Sequence, residues 1–275
     1  MTIHPSASEG YALGASIYVM GRPDYPPAAL DWLRDVIGLR AGRSVLEIGA
    51  GTGKFVPVLR EAGATVLALE PVAAMRDALA RGFPEMSVLD GAAEAIPLPD
   101  GAVDAVVCAQ AFHWFATSRA LAEMRRVLKP GGMLGLIWNV RDEKVPWVAA
   151  LSAITDGWES GAPRFRTGAW QRVFPAPGFA ATGEQRARHT HVGRAEEVIV
   201  ARTLSVSFIA ALPDAARAAV ERQVRQLIAD TPDWQGRRRS PFPMRRGCSR
   251  FAGWIERGAY CSPNNARCAL SSSSA

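Results

Sequence analysis

Val45-Leu-Glu-Ile-Gly-Ala-Gly-Thr-Gly-Lys-Phe55 decides the fold. Val45, Leu46 and Ile48 make a short apolar run, Glu47 interrupts it, glycines follow at 49, 51 and 53, and a helical pattern starts at Lys54. Glycines at a strand-to-helix junction let the backbone turn sharply and approach a ligand where a side chain would intervene. The spacing narrows the ligand. A dinucleotide fingerprint needs a third glycine five positions after the first, and Lys54 stands there. The same glycines also fit a tight turn with no ligand, so the segments around them have to decide.

Downstream, Ala64-Thr-Val-Leu-Ala-Leu-Glu70-Pro71 reads as a second buried strand ending in a carboxylate. In a βαβ unit consecutive parallel strands lie side by side with their C-terminal ends on one edge, so Glu70 should emerge beside the glycine loop. A carboxylate there can accept hydrogen bonds from both ribose hydroxyls of an adenosine. Glu47-x-Gly49-x-Gly51-x-Gly53 resembles motif I of the class I S-adenosylmethionine (SAM)-dependent methyltransferases. Gly91-Ala-Ala-Glu-Ala-Ile-Pro97, followed by Leu-Pro-Asp-Gly, and Arg125-Arg-Val-Leu-Lys-Pro-Gly-Gly132 resemble the methyltransferase type 11 group. Gln110-Ala-Phe-His-Trp-Phe115 and Arg22-Pro-Asp-Tyr-Pro26 are similar to its trans-aconitate-methyltransferase-like branch. The likeness runs over roughly residues 18 to 140.

The resemblance implies SAM as cofactor and assigns roles residue by residue. Glu47, Gly49, Ala50, Gly51 and Gly53 would pass under its methionine and ribose, and Glu70 with Pro71 would hold the ribose. Ala92, Ala93 and Glu94 would flank the adenine. Many relatives carry an aspartate where this chain has Ala92, so apolar packing and backbone groups must hold the base. Gln110 would orient ligands, and Tyr18 and Arg22 would close over the cofactor, the guanidinium gripping a carboxylate. His113 follows the fourth strand and is the candidate general base, with an ordinary pKa of about 6.5. The aromatic residues around it equally suit a packed wall residue. No base is required if the acceptor is a carboxylate; a base near neutrality helps if it is a hydroxyl, amine or acidic carbon. The nucleobase N-methyltransferases resemble one another in an Asn/Asp-Pro-Pro-aromatic segment at this place, and Ala109-Gln-Ala-Phe-His departs from it.

Strand-like and helix-like patterns alternate as in a parallel α/β sheet. Leu30, Leu33, Val36 and Ile37 mark a first helix, Val103 to Ala109 a fourth strand, and Met133 to Trp138 a fifth, wholly apolar but for Gly135. The expected fold is α/β, a Rossmann-like doubly wound, mostly parallel seven-stranded sheet with helices on both faces and a degraded C-terminal edge strand. The chain divides into a lid over 1–27, a SAM-binding core over 28–140, the remainder and acceptor-site cover over 141–235, and a basic, poorly ordered tail over 236–275. In the third part Arg164, Arg166 and Arg172 stand near tryptophans and suit an acidic acceptor or a solvated face. His189 and His191 alternate on a strand without a third metal ligand.

With 275 residues and 48% apolar content the chain can bury a large core. No apolar stretch is long enough to span a bilayer, and the four cysteines show no metal-ligand or disulfide spacing. A cytoplasmic location is expected, with no metal and no membrane insertion. The net charge of +6 resides in the tail, where residues 236–275 hold eight arginines against Glu256 alone, leaving a nearly neutral body. Nucleic acid is therefore not an expected partner; a basic tail docking on one, or on an acidic membrane, is the rival to a divergent or frame-shifted C-terminus. Three function classes follow: a methyltransferase acting on a small-molecule carboxylate, hydroxyl or acidic carbon; a catalytically impaired SAM-binding regulatory or interaction protein; and a nicotinamide dehydrogenase, opposed by Lys54.

Overall fold

The computed structural model describes residues 23–159, 161–234 and 240–256, the last span by its backbone alone. Tyr18, Arg22, most of the expected lid and the end of the tail lie outside the described residues.

The strands are β1 (Ser44–Ile48), β2 (Thr65–Leu69), β3 (Ser87–Leu89), β4 (Val103–Ala109), β5 (Leu128–Arg141), β6 (Phe179–Gly193) and β7 (Ser240–Glu256). They form one sheet in the order β3-β2-β1-β4-β5-β7-β6. The five strands from β3 to β5 are parallel, and β7 runs antiparallel to both β5 and β6. The strand expected at the C-terminal edge is thus interior in the sheet order, and β6 takes the edge. The backbone of β7 pairs along both sides, whereas its sequence, with two prolines, two arginines and a glycine in its first half, gives no apolar alternation.

Helices α1 (Pro27–Asp35), α2 (Val56–Glu61), α3 (Ala73–Gly82) and α4 (Ser118–Val127) cover the parallel part. Alternation along the strands explains the two faces, since successive side chains point to opposite sides. Val45, Ala105, Val107 and Ile137 pack with Trp32, Leu33 and Leu59 on the α1–α2 face. Leu46, Val106, Leu134 and Leu136 pack with Leu121, Met124 and Val127 of α4 on the other. Burial on both faces is why these strands read as nearly continuous apolar runs. α4 begins where the Thr117 hydroxyl accepts from the Ala120 N–H, capping its first turn.

A second layer lies over the C-terminal part. α5 (Pro146–Asp156), a π-helical turn at Glu196–Ala201 that continues through Leu204, a short helix at Ser207–Ala210 and α6 (Asp214–Asp230) share a separate apolar cluster. Trp147, Leu151, Ile199, Phe208, Val220 and Val224 are among its buried members, and Trp114 packs against it from the sheet side. The helical stretch from Glu196 to Ala210 is broken at Ser205, whose hydroxyl donates to the Arg202 carbonyl.

The end of the sheet remote from these loops is tied by Asp104. Its carboxylate accepts from the Ser44 N–H at 2.9 Å and from Lys129 at 2.9 Å, and pairs with Arg43 at 3.0 Å. Burial alone would raise its pKa, but the Ser44 and Lys129 hydrogen bonds outweigh it and bring the group to about 2. A depressed carboxylate stabilises the fold above its unfolded pKa and stops doing so as pH falls through the folded value. Asp104→Asn should therefore cost roughly 1–2 kcal/mol at neutral pH, read by urea unfolding. The difference from the parent should shrink between about pH 4 and 2, with cofactor binding unchanged.

Candidate functional site

The strand order reverses between β1 and β4, which opens a crevice at their C-terminal ends where open α/β sheets bind ligands. Gly49, Gly51 and Gly53 have φ of +69°, +58° and +85°, so all three backbone positions disfavour any other residue. Their surroundings differ. A methyl group on Gly49 would come within 2.6 Å of the Ala111 Cβ, so this glycine lets the loop after β1 pack against the loop after β4. A methyl group on Gly51 would meet nothing within 4 Å: there the bare backbone faces open space, as a cradle for a ligand requires. Ala50 is buried, and its carbonyl accepts from the Gly53 N–H to close the turn.

Glu70 reaches the loop from the end of β2. One carboxylate oxygen accepts from the Gly51 N–H at 2.8 Å and the other from the Val72 N–H at 2.9 Å. Each oxygen keeps a second acceptor position, which can serve vicinal hydroxyls. Burial raises the pKa of Glu70, with the two amides and Arg76 acting against it. Pro71 follows, its carbonyl held by Arg76, which also pairs with Asp90. Glu47 is 1% exposed, and its Oε2 has no hydrogen-bond partner among the described residues. Burial first, and the charge of Glu70 second, push its pKa up to about 8.

After β3, Ala92, Ala93 and Glu94 form a tight turn in which the Ala95 N–H donates to the Ala92 carbonyl, and Ala93 is buried. Glu123 and Arg126 of α4 pin this loop by accepting from the Ile96 N–H and donating to the Ile96 and Leu98 carbonyls. Gln110, just past β4, has φ of +60°, a left-handed conformation seldom taken by a side-chain-bearing residue and characteristic of functional loops. Its amide Nε2 donates to the Asn139 carbonyl at 3.1 Å, which aligns the ends of β4 and β5.

His113 lies in a 3₁₀ turn, Phe112–Trp114, and its Nδ1 accepts from the Trp138 indole N–H at 3.2 Å. With His113, Gln110 and Arg141 on one side and Phe165, Arg202 and Phe208 on the other, the site includes a cavity of about 150 Å³. Arg164 and Arg166 also line it, but Glu159 and Asp156 pair with them. Arg172, expected with them, is exposed and is not among the described lining residues. Arg202 was not foreseen; its signal is the one charged residue within Val198-Ile-Val-Ala-Arg-Thr-Leu204. No group of three or more potential metal ligands exists among the described residues.

Residues 46–136 match the family profile of the methyltransferase domain. The chain is 40% identical over 227 residues to an uncharacterized methyltransferase of Mycobacterium tuberculosis, spanning 82% of this chain and 88% of that one. The chain belongs to the class I SAM-dependent methyltransferases. An uncharacterized methyltransferase-like protein of Schizosaccharomyces pombe is 38% identical over 218 residues, 78% of this methyltransferase and 84% of its relative. In fold, a putative methyltransferase from Bacillus halodurans superposes with a TM-score of 0.54 at 17% identity, covering 83% of this chain and 98% of its own. SAM is therefore the cofactor of this methyltransferase, and the crevice suits it: open space over Gly51, acceptor positions on Glu70, and the unmatched Glu47 oxygen. No helix among the described residues is long and apolar enough to cross a membrane.

Proposed function

We propose that this methyltransferase acts on a carboxylate oxygen of a small-molecule acceptor, held in the cavity between the ends of β4 and β5 and the helical layer. The observation carrying this reading is the Trp138–His113 hydrogen bond. An Nδ1 that accepts a hydrogen bond leaves the imidazole proton on Nε2. The ring is then a donor with no lone pair left to take a proton. A hydroxyl or acidic carbon reacts faster with such a base at hand; a carboxylate is already ionised. The likeness of Gln110–Phe115 to the trans-aconitate-methyltransferase-like branch, named for a carboxylic acid, points the same way.

In this reading Glu70 holds the ribose hydroxyls, Glu47 meets the ammonium of the methionine end, and Gly49, Ala50, Gly51 and Gly53 form the floor. Pro71 lies beside the ribose, Ala92, Ala93 and Glu94 flank the adenine, and Gln110 orients the reacting groups; Tyr18 and Arg22 cover the cofactor. When bound, SAM supplies a methyl carbon activated by a sulfonium, so the new bond to oxygen forms as the carbon–sulfur bond breaks and its electron pair stays on sulfur. The protein's part is alignment and exclusion of water, which can contribute about 7–11 kcal/mol. The Trp147–Val224 cluster supports assigning residues 141–235 as the cover. Cys108, a buried free thiol, fits a reducing cytoplasm.

Transfer of labelled methyl to a panel of carboxylic acids, phenols and quinone precursors tests the proposal. Carboxylates should accept, and His113→Gln should retain activity within about tenfold of the parent, less than the loss expected of a general base. Methylation of phenols alone, abolished in His113→Gln, would sink it.

A further inference from the structure

The cavity's two sides come from different layers: Gln110 and His113 stand at the sheet end, next to the glycine loop, while Ser152 of α5 and Ser207 of the short helix belong to the helical cover. An acceptor that offers its carboxylate to the cofactor side therefore presents the rest of its chain to the cover. What the cover can recognise depends on which of its polar groups are still free to bond. The charged ones are engaged. Arg164 and Arg166 pair with Glu159 and Asp156, Arg164 also lies 4.9 Å from the Phe208 ring centroid, and Arg141 and Arg202 engage neighbours of their own. At the sheet end the Gln110 amide donates to the Asn139 carbonyl, and the Asn139 amide to the Asp24 carbonyl.

The two serines differ from these groups. Ser152 is 6% and Ser207 3% exposed. Each bonds through its backbone, Ser152 accepting from the Thr155 hydroxyl and Ser207 from the Ala211 N–H, but neither side-chain hydroxyl has a hydrogen-bond partner among the described residues. A serine inside a helix can return its hydroxyl to the carbonyl one turn back, and Ser152 does not. The Thr203 hydroxyl is unpartnered too, but it is shut off from open space. Those of Ser152 and Ser207 are not shut off, and both residues line the cavity. A hydroxyl withdrawn from water without gaining a partner destabilises the fold, and a ligand that supplies the partner reverses this. Because a hydroxyl both donates and accepts, a pair of them matches a neutral group that does the same.

We infer that Ser152 and Ser207 determine acceptor specificity by hydrogen-bonding a neutral polar group, a carboxamide or hydroxyl, at the end of the acceptor remote from the methylated carboxylate. The inference rests on the carboxylate reading above. Phe165, Val206 and Phe208 supply apolar walls for the carbons between the two ends. A cavity of about 150 Å³ is the size that holds a benzene ring in an apolar core, which suits a chain of about three to five carbons. The substrate class is then a short monocarboxylic acid with a neutral polar function at its far end.

Succinamate, 4-methylpentanoate and succinate share one shape and end in a carboxamide, an isopropyl group and a carboxylate respectively. Calorimetric titration of the three into the protein saturated with S-adenosylhomocysteine tests the inference, beside labelled-methyl transfer to the same acids. The parent should favour succinamate over 4-methylpentanoate by about 10- to 100-fold, the range of two neutral hydrogen bonds. Ser152→Ala and Ser207→Ala should each reduce that ratio by about 3- to 10-fold, and the double variant should abolish it. A merely structural role would lower the binding of both acids and leave their ratio alone. S-adenosylhomocysteine affinity should stay within about twofold in every variant, since the cover is not part of the cofactor site. An equal ratio in parent and double variant, no preference in the parent, or a parent that favours succinate over succinamate would each overturn the inference. Loss of S-adenosylhomocysteine binding in the variants would overturn it too, because the serines would then be scaffold. Succinamate binding that depends on the serines but is followed by no methyl transfer would uphold the hydroxyl site and refute the carboxylate-acceptor reading instead.

Discussion

Glu70→Ala is expected to weaken S-adenosylhomocysteine binding by about 100-fold, two charge-assisted hydrogen bonds being lost together. Glu70 has two duties in the site. It braces the glycine loop, by accepting from the Gly51 and Val72 amides, and it is the proposed partner of the ribose hydroxyls. Alanine leaves both amides without their acceptor and releases the turn that holds Gly51 open to the ligand. A fall in melting temperature should accompany the loss of binding. Glu70→Gln separates the two duties in part. Its single carbonyl oxygen can serve one amide, while its NH₂ faces the other N–H, so its affinity should lie between parent and alanine. Calorimetry with S-adenosylhomocysteine reads the binding, and thermal unfolding without ligand reads the bracing. Affinity of Glu70→Ala within threefold of the parent would remove Glu70 from the cofactor site.

That pairing of Glu70 with Gly51 was legible in the sequence because parallel strands bring their C-terminal ends together whatever their side chains are. The buried strands were legible for a related reason. Residues packed on both faces, such as Val106 and Val107 on β4, leave an apolar run from Ala105 to Ala109, and β4 ends where that run does. The packing role of Gly49 could not be read, because its neighbour Ala111 arrives from a loop 62 positions away.

His113 shows the same limit in the chemistry. Position after β4 marks it as a candidate base; the Trp138 indole that occupies its Nδ1 comes from β5, and only tertiary structure joins them. Arg202 was missed because one arginine in an apolar helical run resembles a surface position, and its burial comes from the fold around it. β7 was unreadable for another reason. Its pairing to β5 and β6 is carried by the backbone, while Pro241, Pro243 and the arginines that follow carry turn or surface signals.

Glu47→Gln should give opposite results for stability and for cofactor binding. In the folded protein burial and Glu70 lift the Glu47 pKa to about 8, against 4.5 for the ordinary carboxyl. Between those two values the folded state keeps a proton that the unfolded chain has lost. Unfolding therefore releases a proton there, and the contribution of Glu47 to stability falls as pH rises from about 4.5 to 8, then levels off. Glutamine does not titrate, so the variant should lose this slope and, free of ligand, exceed the parent by roughly 2–4 kcal/mol near pH 8.5. The protonated carboxyl already brings a donor into this site, so the amide of glutamine adds little new cost. Urea unfolding at pH 5, 7 and 8.5 reads the difference; parallel stability profiles for parent and variant would contradict it. Binding should move the other way. An ammonium at the amino-acid end of the ligand favours the ionised carboxylate, so the parent should release a proton as it binds S-adenosylhomocysteine near pH 7, seen as a dependence of the measured heat on the ionisation enthalpy of the buffer. Glu47→Gln should abolish that release and bind at least about tenfold more weakly. A buried acid that weakens the empty protein and strengthens the loaded one makes cofactor binding itself a source of fold stability.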